Sequence, residues 1–226
     1  MSTISDLLDE IKSLLTIGSA PYRSTADLSD VYEGYIFSLI VSTASRNGAS
    51  VSYEDVYGTK VNKLVFRTSP GQLYGDSQPF THALIEFNGA PPLEVHLGVR
   101  VQGTSGVLHE CDVLVLPAEE AELSRVQRIA PRGSQCLLIV ECKYYTSTLD
   151  IGLARNFEGL RADIRTQDEL FVSNIGSPSI VRYLAARKRG YERDVVPSSS
   201  QTEYLQAEIR KSFRKFLSKH TPSVVI

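Results

Sequence analysis

Two apolar runs that each carry ionisable side chains constrain this chain most: His109–Leu116 (HECDVLVL) and Leu137–Lys143 (LLIVECK). Their branched aliphatic content predicts two strands. Strand side chains alternate between faces, so Asp112 is expected beside Glu110 and Leu114, and Glu141 and Lys143 beside Leu137 and Ile139. If the strands are neighbours, two carboxylates and an ammonium meet at one end of one sheet face. Charges in apolar surroundings are costly unless they are paired or bind a metal. Two hard carboxylates suit Mg2+ or Mn2+. A lysine two residues along can orient or deprotonate a water, or neutralise developing negative charge.

Around these strands the periodicity predicts a mixed α/β layout, one sheet flanked by helices. Ile4, Leu7, Leu8, Ile11, Leu14 and Leu15 recur at helical spacing over Ser2–Leu15. A longer helix is read over Thr25–Ala44, stopped by Asn47 and Gly48; it is apolar over most of its circumference and is therefore expected to be buried. Strands are expected at Lys63–Arg67 and His82–Phe87, and Leu93–Val101 with Val107–Leu116 reads as a hairpin joined by Gly103–Gly106. The next strand covers Gln135–Tyr144. A helix over Asp150–Leu170 follows, capped by Ser147 or Asp150, then a short strand at Leu170–Val172 and a helix at Ile180–Lys188. A last strand is read at Val195 and Val196, and a terminal helix over Gln201–Lys219 sets a basic face against Leu205, Ile209, Phe213, Phe216 and Leu217. With no internal repeat, 226 residues suit a single domain.

The composition, 42% hydrophobic and 22% charged, excludes disordered and fibrous classes. No apolar run reaches the roughly 18 residues of a membrane span, and the opening residues are acidic and amphipathic, so a cytoplasmic protein with no membrane partner is expected. Cys111, Cys136 and Cys142 are odd in number and lie in strand-like runs, which points to buried thiols. The net charge of −2 hides an asymmetry: residues 1–122 hold 7 Lys/Arg against 16 Asp/Glu, and residues 123–226 hold 17 against 10. A basic second half is compatible with a polyanionic partner and equally with solvated helix faces. Glycine-rich phosphate loops, HExxH and paired CxxC motifs are absent. His82, His96, His109 and His220 lack metal-ligand spacing and are read as ordinary strand or surface histidines.

Asp112 followed by Glu141-Cys142-Lys143 on the next strand resembles the PD-(D/E)XK phosphodiesterase superfamily, which includes many restriction enzymes and DNA-repair nucleases; the resemblance covers residues 25–175. Where the family often has proline before the acid, this chain has Cys111. The resemblance implies a restriction-endonuclease-like core of helix, antiparallel strands, helix and strand, with a mixed central sheet flanked by helices. It also implies that the Cys142 backbone carbonyl completes a metal shell and that a fourth carboxylate comes from the helix before the sheet. On an idealised helix Glu33 points between Ile36, Phe37 and Ile40, inside the apolar arc, with Asp30 one turn away as the substitute. The helix after Lys143 carries Arg155, Asn156, Glu158 and Arg161, where the family keeps substrate contacts; Arg155 and Arg161 are the nucleic-acid candidates.

The expectation is therefore a Mg2+- or Mn2+-dependent nuclease, DNA favoured, with Asp112, Glu141, Lys143 and Glu33 catalytic and with Asp112, Glu141, Glu33 and the Cys142 carbonyl around the metal. The absence of a sequence-reading element suits the effector of a prokaryotic defence or restriction system, switched on by a regulatory protein or an activating ligand. Cutting both strands of a duplex favours a homodimer. The alternative is a catalytically lapsed nucleic-acid-binding or scaffold module on the same fold, against which the retention of both acids and the lysine argues.

Overall fold

The structure is a computed structural model and describes residues 3–22 and 26–220. Its centre is a seven-stranded sheet in sequential order. The strands are β1 (Ser50–Asp55), β2 (Thr81–Glu86), β3 (Leu93–Gln102), β4 (Leu108–Pro117), β5 (Leu138–Lys143), β6 (Asp168–Ser173) and β7 (Tyr191–Glu192). From β1 to β5 each neighbour is antiparallel, whereas β5–β6 and β6–β7 are parallel and need crossovers. Those crossovers are α4 (Ile151–Ile164) and α5 (Pro178–Ala185). The remaining helices are α1 (Ile4–Leu15), α2 (Leu28–Arg46), α3 (Ala118–Gln127) and α6 (Ser200–His220).

Helices cover both faces. The larger apolar cluster lies between one sheet face and α1, α2 and α6, where α2 buries Val31, Tyr32, Tyr35, Ile36, Phe37, Leu39 and Ile40 together. It is buried nearly all round because α1, α6 and the sheet surround it, as its continuous apolar circumference predicts. Tyr32 Oη donates to the Val195 carbonyl at 3.0 Å and fixes α2 to the chain beyond β7. On the other face Val99, Val101, Leu114, Leu116 and Ile139 pack with Ala121 of α3 and Ile164 of α4, and a third cluster joins α4, α5 and β6 around Phe157 and Phe171. No helix among the described residues is long and apolar enough to cross a membrane.

Helix starts follow local chemistry. Thr3 and Asp6 close a reciprocal capping box on α1, and Asp150 accepts the Gly152 amide at 2.6 Å to start α4. The readings of Ser2 and Thr25 as helical fall on residues outside the described ones.

Several boundaries differ from the sequence reading. Lys63–Arg67 is not a strand: Leu64 and Phe66 are buried in a loop whose Val65 backbone is bonded by Thr81. The first strand, Ser50–Asp55, and α3 are additions to the elements that the periodicity predicts. The Asp150–Leu170 helix ends at Ile164, where Arg165 turns left-handed, so β6 starts at Asp168. The helix placed at Ile180–Lys188 runs over Pro178–Ala185. The last strand is Tyr191–Glu192 rather than Val195 and Val196; Val195 is a core residue whose amide meets the Ser173 carbonyl.

Candidate active site

The site lies where β4 and β5 part. Their ladder runs only over Val113–Val115 of β4 and Leu138–Val140 of β5. One step further the pairing is taken over by a side chain: Asp112, only 7% exposed, accepts the Cys142 amide on Oδ2 at 2.7 Å. A strand residue's N–H and C=O point to the same edge. The Lys143 carbonyl accepts the Asn174 amide on the β6 side, so alternation puts the Cys142 carbonyl, like its amide, on the edge facing Asp112.

A kink aims Asp112. β3 and β4 keep one register from Leu93–Pro117 to Gln102–Leu108, with Gly98 and Asp112 missing from the ladder. On one side of that gap Val95, Leu97, Val113 and Val115 face α2; on the other Val99, Val101 and Cys111 face α3 and α4. Both strands thus change face at Gly98, whose φ of 56° is left-handed. Strict alternation, which sets Asp112 on a common face with Glu110 and Leu114, does not hold across this point.

On β5 alternation holds. Ile139 packs on the α3 and α4 side and Leu138, Val140 and Cys142 on the α2 side, which leaves Glu141 and Lys143 on the Ile139 face; Leu137, outside the strand, joins the α2 side instead. Lys143 Nζ lies 2.6 Å from Glu141 Oε1 and 3.4 Å from Asp112 Oδ2. Burial works against its charge, but Asp112 and Glu141 outweigh it and hold the ammonium well above its ordinary range. Burial first, then Asp112, raises the Glu141 carboxyl, with Lys143 opposing.

Glu33 enters from α2. Tyr22 Oη donates to the Asp30 carbonyl, and its ring covers Gly34, where any side chain would collide with it. Glu33 makes no salt bridge among the described residues. Burial, then Asp112 and Asp30, push its carboxyl up to about 9. Glu33 therefore senses the same negative charge that Lys143 only partly neutralises.

Two carboxylates on one ammonium, with Glu33 in the charge field of Asp112, fit a divalent cation by donor type and by charge. They do not form a closed shell: among the described residues the group of three His, Cys, Asp or Glu with ligand atoms all within 4.8 Å of one another is His82, Glu94 and His96. Lys143 bridges Asp112 and Glu141. Mg2+ commonly takes only one or two carboxylates and retains waters, so Asp112, Glu141 and the Cys142 carbonyl are a sufficient set.

The two arginine candidates differ. Arg155 is exposed on α4 with no ion pair among the described residues. Arg161 is engaged by Glu169 at 2.9 Å and Glu158 at 3.6 Å, and Arg189 shares Glu158, so its guanidinium fastens α4 to β6. Asp163 on the same helix accepts from Ser105 and Thr104 and meets His109 Nε2 at 2.7 Å, tying the β3–β4 turn to α4.

The histidines hold the clearest surprise. His82 and His96 are not ordinary strand residues: their rings stack at 4.6 Å, and Glu94 lies between their Nε2 atoms at 3.5 and 2.7 Å. The available signal was Glu94-x-His96 on one strand face; the missing part was the β2–β3 register. No family model, curated protein or solved structure matches the chain.

Proposed function

We propose that this chain is a divalent-metal-dependent phosphodiesterase acting on nucleic acid, DNA first, built on a restriction-endonuclease-like core. The observation that carries the reading is the convergence of Asp112 and Glu141 on the single ammonium of Lys143 at the point where β4 leaves β5, with the carboxyl of Glu33 raised by the charge of Asp112. The order α2, β3, β4, β5, α4, β6 supports it, because that is the helix, antiparallel strands, helix and strand that the Asp112 and Glu141-x-Lys143 motif implies.

Asp112, Glu141 and the Cys142 carbonyl would hold Mg2+ or Mn2+, and Glu33 would join them once deprotonated. When bound, the ion polarises a phosphate oxygen and lowers the pKa of a coordinated water. Lys143 is held charged and so cannot accept a proton; its ammonium positions the attacking water or neutralises charge growing on the phosphate. Arg155, exposed and without an ion pair among the described residues, would meet a backbone phosphate.

Purified protein incubated with Mg2+ or Mn2+ and a panel of single- and double-stranded DNA and RNA tests the reading. Metal-dependent cleavage lost in Lys143→Ala is the expected result. Equal cleavage by that variant overturns the site, and binding without cleavage by the parent protein replaces an enzyme with a lapsed binding module.

A further inference from the structure

On β1, β2 and β3, at the end of the sheet next to β4, lies a second cluster with no part in the chemistry above. Glu54 on β1 pairs with His82 on β2, and the β2–β3 register of Ala83 with Val95 sets His82 opposite His96. Glu94, two residues before His96, shares its face. All three of His82, Glu94 and His96 are buried, at 2%, 2% and 8% exposure. Beside them, lined also by Leu73, Phe80, Leu97 and the side chains of Arg67 and Arg125, is a cavity of about 10 Å³, the space of one water-sized particle.

A purely structural ion network explains only part of this. Arg125 of α3 clamps Glu94 through both oxygens, Nη2 to Oε1 at 2.7 Å and Nη1 to Oε2 at 2.9 Å, and His96 Nε2 is 2.7 Å from Oε2. Among the described residues His82 Nε2 has no hydrogen-bond partner, although it is buried and faces Glu94 Oε2 at 3.5 Å and Glu54 Oε2 at 3.9 Å. Buried polar atoms in folded proteins are nearly always satisfied. An orphaned imidazole nitrogen, a second imidazole and a carboxylate converging beside a water-sized gap are a ligand set short of its ion.

We propose that His82, Glu94 and His96, with Glu54 as a fourth donor, bind a divalent transition metal of the Zn2+ kind at a site separate from Asp112, Glu141 and Lys143. Two imidazoles select such an ion over Mg2+. Glu94 would turn Oε2 to the metal while Oε1 stays on Arg125, the outer support that ligating carboxylates commonly have. His96 coordinates through the nitrogen that now faces Glu94, so its ring proton moves to Nδ1; with Glu94 already ionised, no proton leaves the protein. The ion would fasten β1, β2 and β3 to one another.

The test uses full-length protein stripped with a chelator, then titrated with Co2+ as the spectroscopic probe and with Zn2+ as competitor. With Mg2+ in excess to fill the Asp112 and Glu141 site, one equivalent of Co2+ with visible ligand-field absorption, displaced by Zn2+, is expected in the parent protein and equally in Glu141→Gln. His82→Phe keeps a planar ring against His96 and removes the unpartnered nitrogen; its Zn2+ affinity should fall by more than the about 10- to 100-fold that outer-shell changes cost. Zn2+ should raise the Tm of the parent and not of this variant. Glu94→Gln gives the same readout should His82→Phe not fold. Absence of the Co2+ signal from the parent, its survival in both His82→Phe and Glu94→Gln, or its loss in Glu141→Gln would each overturn the proposal.

Discussion

The carboxylate of Asp112 accepts the backbone amide of Cys142 at 2.7 Å, so one side chain both terminates the β4–β5 ladder and faces Lys143. The two roles can be separated by substitution. Asp112→Asn keeps an acceptor for the Cys142 amide and removes the charge; Asp112→Ala removes both, leaving a buried N–H unsatisfied at a cost of about 1–3 kcal/mol. Both variants should lose metal-dependent cleavage, and only Asp112→Ala should lower the unfolding free energy measured in urea by that amount. Equal stabilities for the two would show that the bond to Cys142 contributes nothing.

Lys143 is the sole cation bonded to Asp112 and Glu141 among the described residues. Lys143→Met leaves two carboxylates facing each other, with Glu33 sensing Asp112 from α2. Loss of one preorganised donor to a charge-developing phosphate costs about 10²–10³ in rate. Cleavage should fall by at least that much. Stability should fall at neutral pH and recover as the carboxylates protonate on acidification, or as Mn2+ is added. Denaturation midpoints measured across pH, with and without Mn2+, check this; a pH-independent loss would mean that the variant damages packing instead.

Much of this site is legible in the sequence because its periodicities are local. Glu141 and Lys143 share a face by two-residue alternation, and Glu33 falls inside the apolar arc of α2 by the 3.6-residue turn. What failed depends on distant partners. The face change at Asp112 is set by Gly98 on another strand, and the His82–His96 pair exists only once β2 and β3 find their register. β1 reads as polar because it is an edge strand with mostly half-buried residues. α3 hides its inward face, since the residues it buries are Glu120, Ala121 and Ser124, and Glu120 is buried only by virtue of its ion pair with Arg132.

Gly98 tests that account. At φ 56° an alanine would meet Ser69 O at 3.4 Å and Arg67 Cβ at 3.5 Å, which are ordinary contacts, so the strain lies in the backbone. A left-handed conformation costs an L residue about 1–2 kcal/mol. Gly98→Ala should lose that much stability, and cleavage should fall with it as β3 and β4 relax towards strict alternation and re-aim Asp112. Unchanged cleavage in a destabilised variant would show that Asp112 is aimed by its bond to Cys142 alone.

Glu33 gives a signature in pH. Burial, reinforced by Asp112 and Asp30, raises its carboxyl from 4.5 to about 9. Between those values the folded chain binds the proton more tightly than the unfolded one, so the stability present below 4.5 is lost as pH rises towards 9. The slope for one proton is at most about 1.4 kcal/mol per pH unit. Glu33→Gln copies the protonated form and should flatten that decline, so the variant gains on the parent progressively from about pH 5 to about pH 8. Mn2+ should narrow the gap from the other side, since it favours the ionised carboxylate in the parent and finds no such ligand in the variant. Urea unfolding of both proteins over that range, with and without Mn2+, is the measurement. Parallel curves in the absence of metal would place Glu33 in water, outside the charge field of Asp112, and remove it from the site.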